Sequence, residues 1–260
     1  MSLRRISTII RRDIEIMLNL KWKMVETFYF PATMTVIWGF FILWSQEMAF
    51  EGAFVLLTVN MFWSFAYQSQ SGTNQQIMED RWTETFRQVV TTPLKAHEYL
   101  IGKSFIGVLF SLLSFIFVIV IAYVFFDYTL FLNNWVYFLV FVSIVLITST
   151  AISILVSSLI TILGNEYAFI SWTTTQLFIL FSAPFFPVEV YPFVIRKISE
   201  FIPYTWVFES IRMLVDSGYV LPSMLSRGLV LSLVFLGISI PVYSKSYKLA
   251  RKNGRLVKIW

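Results

Sequence analysis

The chain has 260 residues, of which 57% are hydrophobic and only 13% charged, with a net charge of +5 and no cysteine. Soluble domains carry about a quarter charged residues, so this composition excludes an ordinary water-soluble enzyme, and zero cysteines exclude disulfides and thiolate metal sites. The basic balance does not point to nucleic acid, because the Lys and Arg residues sit at the ends of long apolar runs, the pattern that orients membrane helices.

A helix needs roughly 20 apolar residues to cross a bilayer, and six segments meet or approach that length. Together they consume the chain, leaving a single transmembrane domain over 1–260 and no room for an engine of its own. Residues 1–23 come first. Leu3, Ile6, Ile10, Ile14 and Met17 recur at helical spacing with Arg4, Arg5, Arg11 and Arg12 between them, which predicts an amphipathic helix lying on the membrane surface with its arginines toward anionic lipid. The apolar residues are too scattered for a cleavable signal peptide.

Span 1 is expected at 27–45, with Pro31 in its first turn or so, where a missing N–H costs little. Glu47 and Glu51 mark a short acidic loop before span 2 at 52–71. On span 2, Asn60, Ser64, Gln68 and Ser71 fall on one helical stripe, with Trp63 and Tyr67 beside it. The segment 74–98 is the one long mixed-charge interruption in the chain. Span 3 follows at 99–126 and span 4 at 135–163, where Ser149, Ser153, Ser157 and Thr161 repeat at every fourth position, a spacing that lets another helix approach closely in lipid. Gly164-Asn165-Glu166 reads as a tight turn before span 5 at 167–186. The segment 187–227 is too charged to cross and too apolar for water, which suits short re-entrant or interfacial helices. Span 6 is expected at 228–244.

Six spans place both termini on one side with the central segment. That side collects sixteen Lys and Arg and the opposite side four, so the termini are predicted to be cytoplasmic and the chain a multi-pass protein of the cell membrane.

Several motifs lead nowhere. Gly102-Lys103-Ser104 suggests a phosphate loop, but His97 stands where its first glycine belongs and no strand precedes it. His97 is the only histidine and cannot hold a metal alone. No span has an Asp, Glu, Lys or Arg near its centre, which argues against a proton- or ion-coupled carrier and for energy supplied from outside the membrane. Glu209 and Arg212, one helical turn apart, read as a structural pair.

In the central segment, Met78, Trp82, Phe86, Val89 and Val90 share a helical face opposite Asp80, Arg81, Glu84, Arg87 and Gln88, and Thr92-Pro93 ends that helix, with Pro93 at the first position of the next. Glu84-Thr85-Phe86-Arg87-Gln88-Val89-Val90-Thr91-Thr92-Pro93 followed by Tyr99-Leu100-Ile101-Gly102-Lys103 resembles the cytosolic loop of ABC-2 type exporter permeases. Phe186-Pro187, Pro192, Ile202-Pro203-Tyr204-Thr205-Trp206 and the pair Glu209 and Arg212 are similar to the second recurring block of that family. Phe86 and Val90 stand where many relatives have Leu.

The resemblance implies an all-α integral membrane protein of six transmembrane helices, with an N-terminal interfacial helix, a cytosolic coupling helix between spans 2 and 3, and short re-entrant helices between spans 5 and 6. It implies a permease that dimerises with a second copy or a paralogous permease and binds separate ABC ATPase subunits. ATP and Mg²⁺ would belong to those subunits, with no cofactor on this chain. The coupling helix near 79–90 would seat Glu79, Arg81, Trp82 and Glu84, then Phe86, Arg87, Val90 and Pro93, in an ATPase cleft. Replacing Trp82 or Phe86 by alanine would then uncouple hydrolysis from transport without disturbing insertion. The external re-entrant segment would carry Pro187, Pro192, Pro203, Tyr204, Glu209 and Arg212.

For the pathway, polarity singles out Asn60, Ser64, Tyr67 and Gln68 of span 2, and Trp172, Thr173, Thr174 and Gln176 of span 5, a lining suited to an amphipathic or sugar-bearing substrate. The expected function is the membrane subunit of an ATP-driven exporter, with membrane lipids as surroundings and no nucleic-acid partner. The alternative is an ATP-independent channel or secondary carrier.

Overall fold

A computed structural model describes residues 2–46, 53–83 and 85–253. Among them every regular element is helical. The acidic loop with Glu47 and Glu51 lies outside the described residues, as does Glu84.

The N-terminal helix α1 (Leu3–Asn19) is followed without a loop by α2 (Lys21–Gln46). Ile6, Ile9, Asp13 and Met17 are its buried line, and Leu3 is exposed. The expected apolar stripe is therefore rotated, and the reason is packing against protein. Ile9 lies so close to Gly102 that a Cβ there would sit 2.9 Å from it.

Pro31 is not in the first turn of α2 but ten residues inside it. A proline has no N–H for the carbonyl four residues back, and the orphaned Thr27 carbonyl instead accepts a hydrogen bond from Ser114 Oγ at 2.7 Å. The vacancy in one helix thus becomes a tie to another, α5 (Ala96–Phe126).

Helix α3 (Ala53–Trp82) is the hub, packing against α2, α5, α7 (Trp135–Leu163) and α8 (Ile170–Leu180). It runs on from the expected span 2 through the first part of the central segment. Nothing between Ser71 and Trp82 stops it, and its later side chains find partners in the bundle. A short helix, α4 (Thr85–Thr91), follows. Pro93 lies in the link before α5, not at the first position of that helix, and its carbonyl accepts from Arg5 Nη1 at 2.6 Å. Where α3 crosses α5, a Cβ on Gly107 would fall 2.7 Å from the backbone nitrogen of Thr73, so only glycine permits that approach. Phe62 and Phe65 pack on Phe115 at centroid distances of 5.1 and 4.4 Å, forming the aromatic core of the crossing.

After the single turn α6 (Leu130–Asn133), α7 has the bounds expected for span 4. Its small-residue stripe does what that spacing promised, and faces α3. Ser149 Oγ donates to the Ala66 carbonyl at 3.2 Å, Ser153 and Ser157 donate to Asn74 Oδ1 at 3.3 and 2.8 Å, and Thr161 Oγ1 accepts from Arg81 Nη2 at 2.8 Å.

Span 5 requires correction. The helix covers only Ile170–Leu180, about 16 Å at 1.5 Å per residue, which is too short to cross. Pro184 ends it, because the residue before a proline is forced out of the helical region, and Ala183 adopts φ +48°. The segment that turns back therefore begins near Phe181. It contains a single 3-10 turn (Val188–Val190), α9 (Phe193–Glu200) and α10 (Pro203–Ser217). The final helix, α11 (Pro222–Lys252), runs beside α7.

Four of these helices, α2, α5, α7 and α11, are long and apolar enough to cross a membrane. α3 is long enough, but its polar residues keep it below that measure, and α8 is too short.

Candidate functional site: a chamber beside a charge-locked end

Two features stand out along α3. At its C-terminal end, Asp80 is buried rather than solvated. Its carboxylate meets Lys103 Nζ at 2.8 Å and Arg12 Nη2 at 3.0 Å, and accepts from the Tyr99 hydroxyl at 2.8 Å. Lys103, only 1% exposed, also pairs with Asp13 at 2.9 Å, and Arg12 closes the ring onto Asp13 at 2.7 Å. Two carboxylates and two cations from α1, α3 and α5 thus neutralise one another. Burial opposes the charge on Arg12, but Asp80 and Asp13 outweigh it and raise its pKa above the ordinary value. Nearby, Glu98 accepts from the Ser2 backbone nitrogen at 2.7 Å, and Lys23 pairs with Glu79. The arginines of α1 were expected to face lipid. Arg5 and Arg12 instead clamp the helix to the bundle.

The central segment is reordered by this cluster. Asp80 faces inward, so Trp82, two residues later, points away and is 56% exposed. Phe86 is 5% exposed, edge-on to Tyr99 at 5.6 Å with the Arg81 guanidinium 5.2 Å from its ring centre. The expected common face of Met78, Trp82 and Phe86 is therefore divided. Met78 and Phe86 belong to the core, and Trp82 stands outside it. The side chains of Arg87 and Val90 lie outside the described part of the structure, while Pro93 is exposed.

The second feature is a chamber of about 560 Å³ between α2, α3 and α8. Asn60, Ser64, Tyr67 and Gln68 all line it from α3, and Gln176 reaches it from α8. Across from them stand Glu26, Phe30 and Trp38 of α2. The stripe read from the sequence is thus brought together on one wall. Trp172, Thr173 and Thr174 do not line it. Trp172 and Thr173 are exposed, and the Thr174 hydroxyl donates to the Ile170 carbonyl at 2.7 Å. The rotation of α8 is set by Thr175, whose hydroxyl bonds to Gln70. α2 was not expected to contribute, yet Glu26, Phe30 and Trp38 recur at the spacing of one helical face, a signal available in the sequence.

A model of the family described as ABC-2 type transporter matches residues 4–215. The chain belongs to the ABC-2 type transporter family. It is therefore a multi-pass membrane protein and a permease component of an ABC-type transporter, a transport component in a family whose members lack an ATPase of their own and work with ABC ATPases, often as dimers. Comparison with curated proteins finds no match.

In this ABC-2 permease the turned-back segment is held by the predicted pair. Arg212 Nη2 meets Glu209 at 2.6 Å, and its other nitrogen donates to the Ala183 and Pro184 carbonyls at 3.0 and 2.8 Å, bracing the break after α8. Glu209 also accepts from the Val188 nitrogen, next to Pro187, at 2.9 Å. Tyr204, fully buried beyond Pro203, shares a 2.8 Å hydrogen bond with Ser149, halfway along α7. Pro192 precedes α9, where a hydrogen bond from Lys197 holds the Glu200 carboxyl below the usual range.

Proposed function

We propose that this permease is the membrane subunit of an ATP-driven exporter in the cell membrane. It works as a dimer, with a second copy or a paralogous permease, and is driven by separate ABC ATPase subunits that bind ATP and Mg²⁺. Both termini, α4 and the exposed Trp82 face the cytoplasm, and α9 and α10 face outward, an orientation that requires α8 and the turned-back segment after it to complete one crossing together. One observation carries the reading: α3 is a single uninterrupted helix with the chamber wall along its middle and Trp82 exposed at its end. A rigid rod that ends in an accessible aromatic anchor can take force from a partner and deliver it to the chamber.

Trp82 is then the docking residue, since interface energy concentrates in such aromatic anchors, and Phe86 is the internal strut that holds the corner to α5. Tagged chain extracted from membranes in mild detergent should recover an ATP-hydrolysing subunit. Trp82→Ala should recover about tenfold less of it, while the permease itself still inserts. Failure to recover a nucleotide hydrolase with either form would overturn the reading.

A further inference from the structure

The chamber is charged at one end and aromatic along the rest of its wall. Among the described residues, Glu26 is the only charged side chain on its wall. Lys23, one turn earlier, is taken by Glu79, and Glu26 makes no ion pair among the described residues. At the opposite end stands Asn60, which is buried. Between them stand the rings of Phe30, Trp38, Trp63 and Tyr67. From Glu26 to Trp38 the chamber follows α2 for about 18 Å at 1.5 Å per residue.

These parts select by charge. Aromatic faces attract cations, and a carboxylate in a partly dry wall acts more strongly than in water. An anion would meet Glu26 with no Lys or Arg among the described wall residues to offset it. The volume is that of sites for drug-sized molecules. We propose that the chamber prefers lipophilic monocations, with the cationic centre beside Glu26 and the apolar body against Trp38 and Trp63. This rests on the chamber being part of the transport pathway, and it names the substrate class of that site.

The test uses the full chain in nanodiscs of zwitterionic lipid, with binding read by equilibrium dialysis. Radiolabelled tetraphenylphosphonium serves as the cation, and triphenylphosphine oxide as an uncharged body of similar shape. Phosphonium binding should saturate, Glu26→Gln should weaken it by about tenfold without changing binding of the oxide, and Trp63→Ala should weaken both. The proposal is overturned if the phosphonium does not bind, if the oxide or an alkyl glucoside binds as tightly as the phosphonium, or if Glu26→Gln has no effect. In those last cases, a loss of both probes in Trp63→Ala leaves the chamber standing as a site and removes only its charge preference. No effect of Trp63→Ala on either probe removes the chamber as well.

Discussion

The middle and the C-terminal end of α3 treat polarity in opposite ways. At Asp80, the charges of Arg12, Asp13, Asp80 and Lys103 each meet an opposite within 3.0 Å, and three helices are pinned by the result. Around Ser64 and Gln68 the polar side chains open on a chamber and make no hydrogen bond to the described residues. A buried polar group without a partner costs stability. The first arrangement therefore serves the fold, and the second spends stability on something outside it.

This contrast can be broken most forcefully at Lys103. Lys103→Met leaves Asp13 and Asp80 to share Arg12, and removing one member of a buried ion cluster costs about 3–5 kcal/mol. Thermal unfolding in detergent should show that loss. Adding Asp13→Leu should restore much of it, because the Arg12 pair with Asp80 then stands alone. An unchanged melting curve in the single variant would mean that the cluster does not anchor α1. Phe86→Ala, beside the same cluster, should cost about 3 kcal/mol by opening a cavity against Tyr99, measured in the same way. At the chamber the expectation reverses. Gln68→Leu should leave stability within about 0.5 kcal/mol, since it removes no bond of the bundle. A large loss there would make the chamber wall part of the scaffold.

The sequence revealed these two regions unequally. The chamber wall on α3 was legible because Asn60, Ser64 and Gln68 recur at helical spacing in an otherwise apolar run. The stripe on α7 was legible for the same reason. The charge cluster was not, because Arg12 and Asp80 are 68 residues apart and no local pattern announces pairing over that distance. Charged residues near the ends of apolar runs read as solvated when their partners are unknown, and that assumption misplaced the faces of α1 and of the stretch from Met78 to Phe86. The length of α8 could have been read. Pro184 lies inside the segment expected to form span 5, and its effect on Ala183 is local chemistry. The rotation of α8 could not, since the bond from Thr175 to Gln70 decides it and that bond exists only in the folded bundle.

Pro31 is also a wall residue of the chamber. Helix α2 consequently has a missing rung beside the chamber, bridged from the neighbouring helix by one hydroxyl at Ser114. Such a joint bends more readily than the intact coil on either side. Opening and narrowing of the chamber would therefore be a swing of half of α2 about this point, with the half before it still clipped to Glu79 through Lys23.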